Sequence, residues 1–507
     1  MPSKIRKTLK WGAVVVGVSL ITLLGVRAYD AQRAPPLELW HTFVPHELSA
    51  AEIDASDWTQ YLAAEERAFA EVRAEVTDKI DPQARDESNR YDARSPIYPG
   101  RFATDWNRSY VMAPEGKPRG AVVLLHGLTD SPYSLRHIAR RYAQDGYVAV
   151  AVRIPGHGTV PSALTSVQWE QWTASTRLAV REAQRLAGTS VPLHVVGFSN
   201  GGALAMKYSL EALDDTRLAR PDRIVLVSPM IGVTSLARFA GVLGWPAFFP
   251  RFAKAAWLGI VPEFNPFKYN SFPVNAARQS SLVARKLQVQ IAEQAARGQL
   301  TRLAPVLTFQ SVVDFTVSTR AIVNALYLNL PANGSELVLF DINRNTKFGP
   351  LLRANTDTVL ARLLPDAPRS FRTSVITNAN PGSAEVVERV TEAGETTEQV
   401  RALGLAYPRE VFSLSHLALT FPLNDSLYGL HPETPDEYGV NLGSMATRGE
   451  RGTLIVSIDS LSRMSSNPFF PYLMARIEEG IGTLPLASGA TNGSTPAAST
   501  AAASGPK

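Results

Sequence analysis

Residues 195–203 read VVGFSNGGA, an apolar run that delivers one serine into a turn followed by asparagine, two glycines and an alanine. Gly197-Phe198-Ser199-Asn200-Gly201 has the form G-x-S-x-G. Small residues around a serine at a strand-to-helix turn let the helix close onto the strand and push the hydroxyl outward as a nucleophile. The plain alternative is a helix-capping serine. A serine hydroxyl is a weak nucleophile at neutral pH, so the chemistry needs a base.

The chain has eight histidines. His41 and His46 fall in a Pro-containing stretch, His137 in a predicted surface helix, His194 inside a predicted strand, and His126 and His157 in strand-end loops upstream of Ser199. His416 and His431 lie downstream. His416 follows EVFSLS (410–415), which reads as a strand, and is the preferred base; His431, in YGLHPE, reads as a loop residue. The base needs a carboxylate to fix its tautomer and stabilise the imidazolium. Asp314 ends PVLTFQSVVD and precedes FTVSTRAIVNAL, a predicted helix, which is the position expected in the order Ser, Asp, His. Asp341, ending a strand in SELVLFDIN, is the rival. A developing oxyanion needs donors, and the backbone N–H groups of Asn200 and of Leu128, after the His-Gly of LLHGLTDSP, would supply them.

These residues must be carried by a scaffold. From about residue 108, short β-branched runs alternate with helix-length amphipathic segments. The runs are GAVVLLHG (120–127), YVAVAVRIPGHG (147–158), LHVVGFS (193–199), RIVLVSP (223–229) and PVLTFQSVVD (305–314); the intervening segments 134–146 and 168–188 read as helices. This pattern predicts parallel strands buried on both faces, an α/β doubly wound sheet with its ligand site beyond the strands' C-terminal ends. About seventy-five residues separate RIVLVSP from PVLTFQSVVD. Within 239–272 there are ten aromatics, against about three at the chain average of 8%. They suit a small core of their own or a lipophilic acyl-binding surface.

Composition narrows the classes. The 507 residues are 45% hydrophobic and 19% charged, as in a folded globular protein. There is no cysteine, which excludes thiolate catalysis, cysteine-ligated zinc and disulfides. The net charge of +5 is accounted for by residues 1–33, where Lys4, Arg6, Lys7, Lys10, Arg27 and Arg33 face one acid, Asp30. The remainder is close to neutral and no nucleic-acid partner is expected. Trp11–Val26 is an uncharged apolar run behind four basic residues, the form of a membrane anchor or a signal peptide. The anchor is preferred, because Arg27 and Tyr29 spoil the cleavage site at Val26-Arg27-Ala28. Either way the positive-inside rule sends the rest of the chain to the far, extracytoplasmic side, anchored or, after cleavage, secreted. No metal-ligand cluster or phosphate-binding glycine loop is present, so no cofactor is implied.

At these motifs the chain resembles the α/β-hydrolase superfamily. It is most similar to the branch of monoacylglycerol lipases, lysophospholipases, carboxylesterases and serine aminopeptidases. The matching features are His126-Gly127, Pro155-Gly156-His157-Gly158, the turn at Ser199, Asp314 with Val317, and Ser415-His416, over about 108–330 and 405–480. The resemblance implies an α/β-hydrolase fold with Ser199 as nucleophile, His416 as general base and acid, Asp314 as orienting acid, and Leu128 and Asn200 as oxyanion donors.

The sequence divides accordingly: anchor or signal 1–33; linker and helical arm 34–107, with a helix over 57–80 whose charges are solvated; hydrolase domain 108–483, with a cap at about 230–304 and an insertion at about 344–410; and a disordered tail 484–507, the anchor, arm and insertion being departures from the family. The insertion delays the histidine after SELVLFDIN, the expected last core strand, and contains one strand-like run, SFRTSVITN. The expected activity is hydrolysis of acyl esters or lipids through an acyl-enzyme. A peptidase or amidase with the same triad is the second reading; a non-catalytic binding protein on this fold is the third.

Overall fold

The computed structural model describes residues 3–83, 86–232, 244–345, 359–409, 411–443 and 465–482. The five apolar runs form β2 (Gly120–Leu125), β3 (Tyr147–Val152), β4 (Leu193–Phe198), β5 (Arg223–Val227) and β8 (Val306–Ser311), nearly every residue of them buried. They belong to one ten-stranded sheet in the order β1-β3-β2-β4-β5-β8-β9-β10-β11-β12, with β1 at Tyr110–Met112, β9 at Glu336–Phe340, β10 at Arg372–Asn378, β11 at Glu385–Thr391 and β12 at Glu398–Ala406. From β3 to β10 every neighbour is parallel. β1, β11 and β12 are antiparallel to their neighbours.

Alternation along each strand feeds two cores. Val123 and Leu125 face a core completed by Leu178 of α6 (Trp169–Ala187), Leu204 of α7 (Asn200–Asp214) and Leu287 of α8 (Val274–Ala296). Val122 and Leu124 face Ile138 of α5 (Arg136–Gln144) and Leu473 of the C-terminal helix Phe470–Gly482. Helices cover both faces, as a parallel sheet of continuously apolar strands requires. The expected α/β doubly wound architecture is the one observed.

Four local expectations differ. β9 is not the last core strand, because β10 pairs parallel with it and β11 and β12 extend the sheet. The latter two lack an apolar run: β12 is exposed along most of its length. EVFSLS does not form a strand; its described residues are buried as irregular chain. The segment crosses the ends of β8 and β9, where it gains single bonds rather than a ladder: Asn343 N–H to Phe412 O at 3.0 Å and Ser311 Oγ to Leu414 O at 2.9 Å. FTVSTRAIVNAL forms a short α-turn, Thr319–Ala321, followed by a π-turn, Ile322–Leu326, not one regular helix.

Before the sheet, α1 (Ser3–Arg33) is one continuous helix. The Pro-containing stretch carries α2 (Leu39–Thr42) and α3 (Ala50–Ala55), and α4 spans Trp58–Glu75. Ser49 and Asp57 open α3 and α4 with reciprocal capping boxes. The arm is not simply solvated. Glu65 is 3% exposed and, with Glu47, clasps the buried Arg153 after β3, at 3.1 and 2.7 Å. Two carboxylates offset the cost of burying that guanidinium, so the arm is pinned to the sheet. The expected tail at 484–507 lies outside the described residues.

Candidate active site

Ser199, Asp314 and Leu128 stand just beyond the C-terminal ends of β4, β8 and β2, whereas His416 is delivered by irregular chain. Ser199 follows β4 directly and takes φ 53° and ψ −114°, a conformation that costs a non-glycine residue of order 1–3 kcal/mol. Neighbouring contacts hold it there. Ser199 N–H bonds to Val227 O at 3.0 Å, and Ser199 O accepts from Gly202 N–H at 3.0 Å and Met230 N–H at 2.9 Å. Glycine is obligatory at two points of this turn. A Cβ on Gly201 would lie 1.9 Å from Leu125 O, and one on Gly197 would lie 2.4 Å from Gly201 O.

Asp314 lies three residues past β8. Its Oδ1 accepts the N–H groups of Thr316 at 2.7 Å and Val317 at 3.0 Å; its Oδ2 accepts Gln310 Nε2 at 3.1 Å and faces His416 Nδ1 at 2.8 Å. Its side chain is wholly buried. Burial alone would raise the carboxyl pKa, but the His416 charge and these hydrogen bonds outweigh it and hold the group below the usual carboxylate range. With Nδ1 engaged by a carboxylate, the basic nitrogen of His416 is Nε2. The His416 ring lies 5.2 Å from that of Phe198, the residue before Ser199.

The two rivals fall elsewhere. Asp341 meets Thr377 at 3.3 Å and Arg344 at 3.4 Å on the far side of β9, and its backbone carbonyl takes the Tyr407 hydroxyl. His431 is exposed.

The loop after β2 passes over the serine: a Cβ on Gly127 would sit 3.2 Å from Ser199 Cβ. His126 sets this loop's orientation. It is fully buried, its Nε2 accepts Ile154 N–H at 3.0 Å, and its Nδ1 therefore carries the hydrogen donated to Gly127 O at 2.9 Å. In a trans peptide the N–H points opposite to the C=O, so fixing Gly127 O aims the Leu128 N–H away from the His126 ring. Asn200 is the first residue of α7, where N–H groups have no intrahelical acceptor.

One supporting residue escaped the sequence reading. Asp130 is 3% exposed within this loop, and burial raises its pKa. Its carboxylate faces the Gly127 and Ser131 backbone and the Ser134 side chain, with Oδ2 buried and unpartnered. The available signal was a lone acid between the His-Gly and the proline. His137, expected on a surface helix, instead bonds the buried Asp425 at 2.8 Å alongside Arg136.

The cap aromatics divide. Trp257, Phe267 and Tyr269 are buried at 1–3% exposure, whereas Phe248 is 88%, Phe249 62% and Phe264 41% exposed. Phe239 lies outside the described residues. No group of metal-ligating residues occurs among the described residues.

Strand order, strained serine turn and buried His–Asp pair together form an α/β-hydrolase fold, and the sequence matches that follow are to proteins of that superfamily, a monoacylglycerol lipase among them. The serine aminopeptidase family, S33, matches residues 116–341, which include Ser199 and Asp314 but end before His416. A thermostable monoacylglycerol lipase from Bacillus sp. (strain H-257) is 34% identical over 92 residues, 18% of this chain and 35% of that one. An abhydrolase domain-containing protein of Dictyostelium discoideum is 31% identical over 125 residues, 23% of this chain and 12% of that one. The chain thus spans only about a third, or less, of the curated relatives it matches. Among solved structures, a metagenome-derived lipolytic enzyme aligns at 23% identity with a TM-score of 0.37, covering 47% of this chain and 88% of that one.

Proposed function

We propose that the chain is a membrane-anchored serine hydrolase that cleaves carboxylic esters of lipid-like substrates. The observation that carries this reading is the buried His416 Nδ1–Asp314 Oδ2 contact at 2.8 Å, set against Phe198 and hence beside the strained Ser199. Ser199 Oγ attacks the ester carbonyl as His416 Nε2 takes its proton. The tetrahedral oxyanion is met by the N–H groups of Leu128 and Asn200. Collapse expels the alkoxide, which takes the proton back from His416, leaving an acyl-Ser199. Water, deprotonated by the same nitrogen, releases the acid and restores the serine. Asp314 orients the imidazole and stabilises its charged form without itself taking the proton. No cofactor has a part in this scheme.

The exposed cap phenylalanines and the similarity to a monoacylglycerol lipase support a lipophilic acyl group. An aminopeptidase would need a free acid to receive the substrate's amino group. The cap's Glu263 is 1% exposed and spends its carboxylate on the N–H groups of Asn270 and Ser271 at 3.0 and 2.7 Å, which favours the ester reading.

We also read α1 as the anchor. It offers a 24-residue span, Lys10–Arg33, whose apolar stretch is not buried in the protein, and so about 36 Å of helix against a hydrocarbon core of ~30 Å. The basic residues before it put the catalytic domain on the extracytoplasmic side.

The test is turnover of p-nitrophenyl esters from acetate to palmitate by the full chain and by Ser199→Ala. The variant should fold unchanged and lose turnover and fluorophosphonate labelling together. Retained turnover overturns the mechanism; labelling of the wild type without ester turnover shifts the reading to amide substrates.

A further inference from the structure

A large cavity stands apart from Ser199, which is not among the residues lining it. It lies where α1 meets the cap, has a volume of about 1220 Å³, and is walled by Ile21, Leu24 and Gly25 of α1, the cap's Phe248, Phe249 and Phe252, and one face of α8. The cap is fastened to α1 beside it. Arg27 donates to the carbonyls of Ala255 and Trp257, and Lys254 Nζ reaches Ala34 O at 2.6 Å.

Depth follows from helix geometry. Ile21 is twelve residues before the end of α1 at Arg33, about 18 Å along the axis. The cavity therefore reaches into the apolar run Trp11–Val26. With α1 across a bilayer, Phe248 and Phe249, the most exposed rings of the cap, stand level with the outer leaflet rather than with water. None of the residues lining the cavity is acidic. α8 brings Arg278 and Arg285 to the wall, two turns apart on one face, and neither has an ion-pair partner among the described residues. Between them Ser281, 2% exposed, lines the same wall with its Oγ unpartnered. Apolar rings at membrane depth, two unpaired guanidinium groups and a waiting hydroxyl describe an amphiphile with an acyl chain and an anionic head. Guanidinium groups suit phosphate oxygens in particular.

We propose that this cavity binds one anionic phospholipid of the outer leaflet. Its acyl chain lies between α1 and Phe248, Phe249 and Phe252, and its phosphate lies at Arg278, Arg285 and Ser281. The bound lipid seats the cap in the membrane and is distinct from the ester at Ser199. The inference rests on α1 remaining attached as the anchor, but not on the chemistry of Ser199.

The test uses the full chain in phosphatidylcholine vesicles doped with phosphatidylglycerol carrying a photoactivatable acyl chain, with crosslinks mapped by peptide mass spectrometry. Crosslinks are expected on both α1 and residues 244–256, at least tenfold above those from an equally labelled phosphatidylcholine. Arg278→Gln/Arg285→Gln should abolish that preference while leaving hydrolysis of a soluble p-nitrophenyl ester unchanged. Equal labelling by the two phospholipids, stronger labelling by a photoactivatable fatty acid, or crosslinks confined to α1 would each overturn the proposal. Intact mass separates the two readings: loss of about thirty N-terminal residues overturns the anchor and with it the lipid site, whereas an intact chain without preference overturns the lipid site alone.

Discussion

The two long insertions sit at equivalent places, beyond the C-terminal ends of β5 and β9, and solve opposite problems. The cap turns apolar surplus outward at Phe248, Phe249 and Phe264 and ties itself to the N-terminal elements. Among its described residues the second insertion turns no comparable surplus outward. It continues the sheet with β10, β11 and β12, and ends in an exposed strand carrying Glu398, Arg401 and a single large apolar residue in the open, Val400. It is also closed at its base. Asn343, where the chain leaves β9, donates through Nδ2 to Val411 O at 2.7 Å and Pro408 O at 3.2 Å, and its N–H reaches Phe412 O. The nearly seventy residues between are an excursion returning to its starting point, so His416 arrives where it would stand had the insertion never occurred. One insertion is fastened to the N-terminal elements; the other is closed at its own base by a latch.

The largest effect expected from this contrast separates two aspartates. Asp314→Asn should lower kcat by about 10⁴-fold, as for triad carboxylates generally, because the amide presents the wrong partner to His416 Nδ1. Asp341→Asn, at the root of the second insertion and bonded to Thr377 and Arg344, should stay within a few-fold. Steady-state kinetics on one soluble p-nitrophenyl ester decide it. If the larger loss belongs to Asp341, the latch does not deliver His416 to Asp314.

The latch is next. Asn343→Ala strands the buried Val411 carbonyl and removes the acceptor of the Asn378 amide, at 3.1 Å. At roughly 1–3 kcal/mol per stranded group, with partial relaxation, about 3 kcal/mol of stability should be lost in urea titration. His416 hangs from the same return, so kcat should fall roughly ten- to hundredfold as well. A stability loss with kcat unchanged would show the return held by its other contacts.

How far the sequence carried this account depends on how each element is stabilised. The parallel strands were legible because burial on both faces forces continuous apolar runs. Ser199 and Asp314 were legible because their turns need particular residues, glycines that admit a carbonyl at 1.9 Å and an acid preceding two backbone N–H groups. β11 and β12 were not, since hydrogen bonding to a neighbour rather than burial holds them, and an exposed edge leaves no apolar signature. His416 was chosen for a partly mistaken reason, as the end of a strand. What positions it is the Asn343 latch seventy-odd residues upstream, a long-range contact that no local pattern encodes. Likewise the buried partners of Arg153 lie in an arm whose helical periodicity gave no sign that Glu65 faced inward.

The smallest effect uses the distribution of histidines: the cap rests on one, and the second insertion has none. His41 is buried between arm and cap, its ring 4.9 Å from that of Trp257 in β6 (Trp257–Gly259), its Nε2 3.0 Å from Ser271 Oγ just before β7 (Phe272–Pro273). Its Nδ1 accepts Glu38 N–H at 3.0 Å, so a second ring proton would displace that donor. Burial pushes its pKa down to about 4 from the usual 6.5. Above pH 6.5 the ring is neutral whether the cap is docked or open, and docking keeps its full stability. Between 6.5 and 4 only the open form takes the proton, so docking weakens by about 1.4 kcal/mol per pH unit, or roughly 2 kcal/mol by pH 5; below 4 both forms are charged and the loss levels off. Rate-corrected hydrogen exchange at pH 7 and pH 5 should therefore show protection falling across 257–273 while 372–406 keeps its own. His41→Asn should flatten the response of the cap alone. If both regions lose protection together, the two insertions share one unfolding unit, and the independence argued from their different fastenings fails.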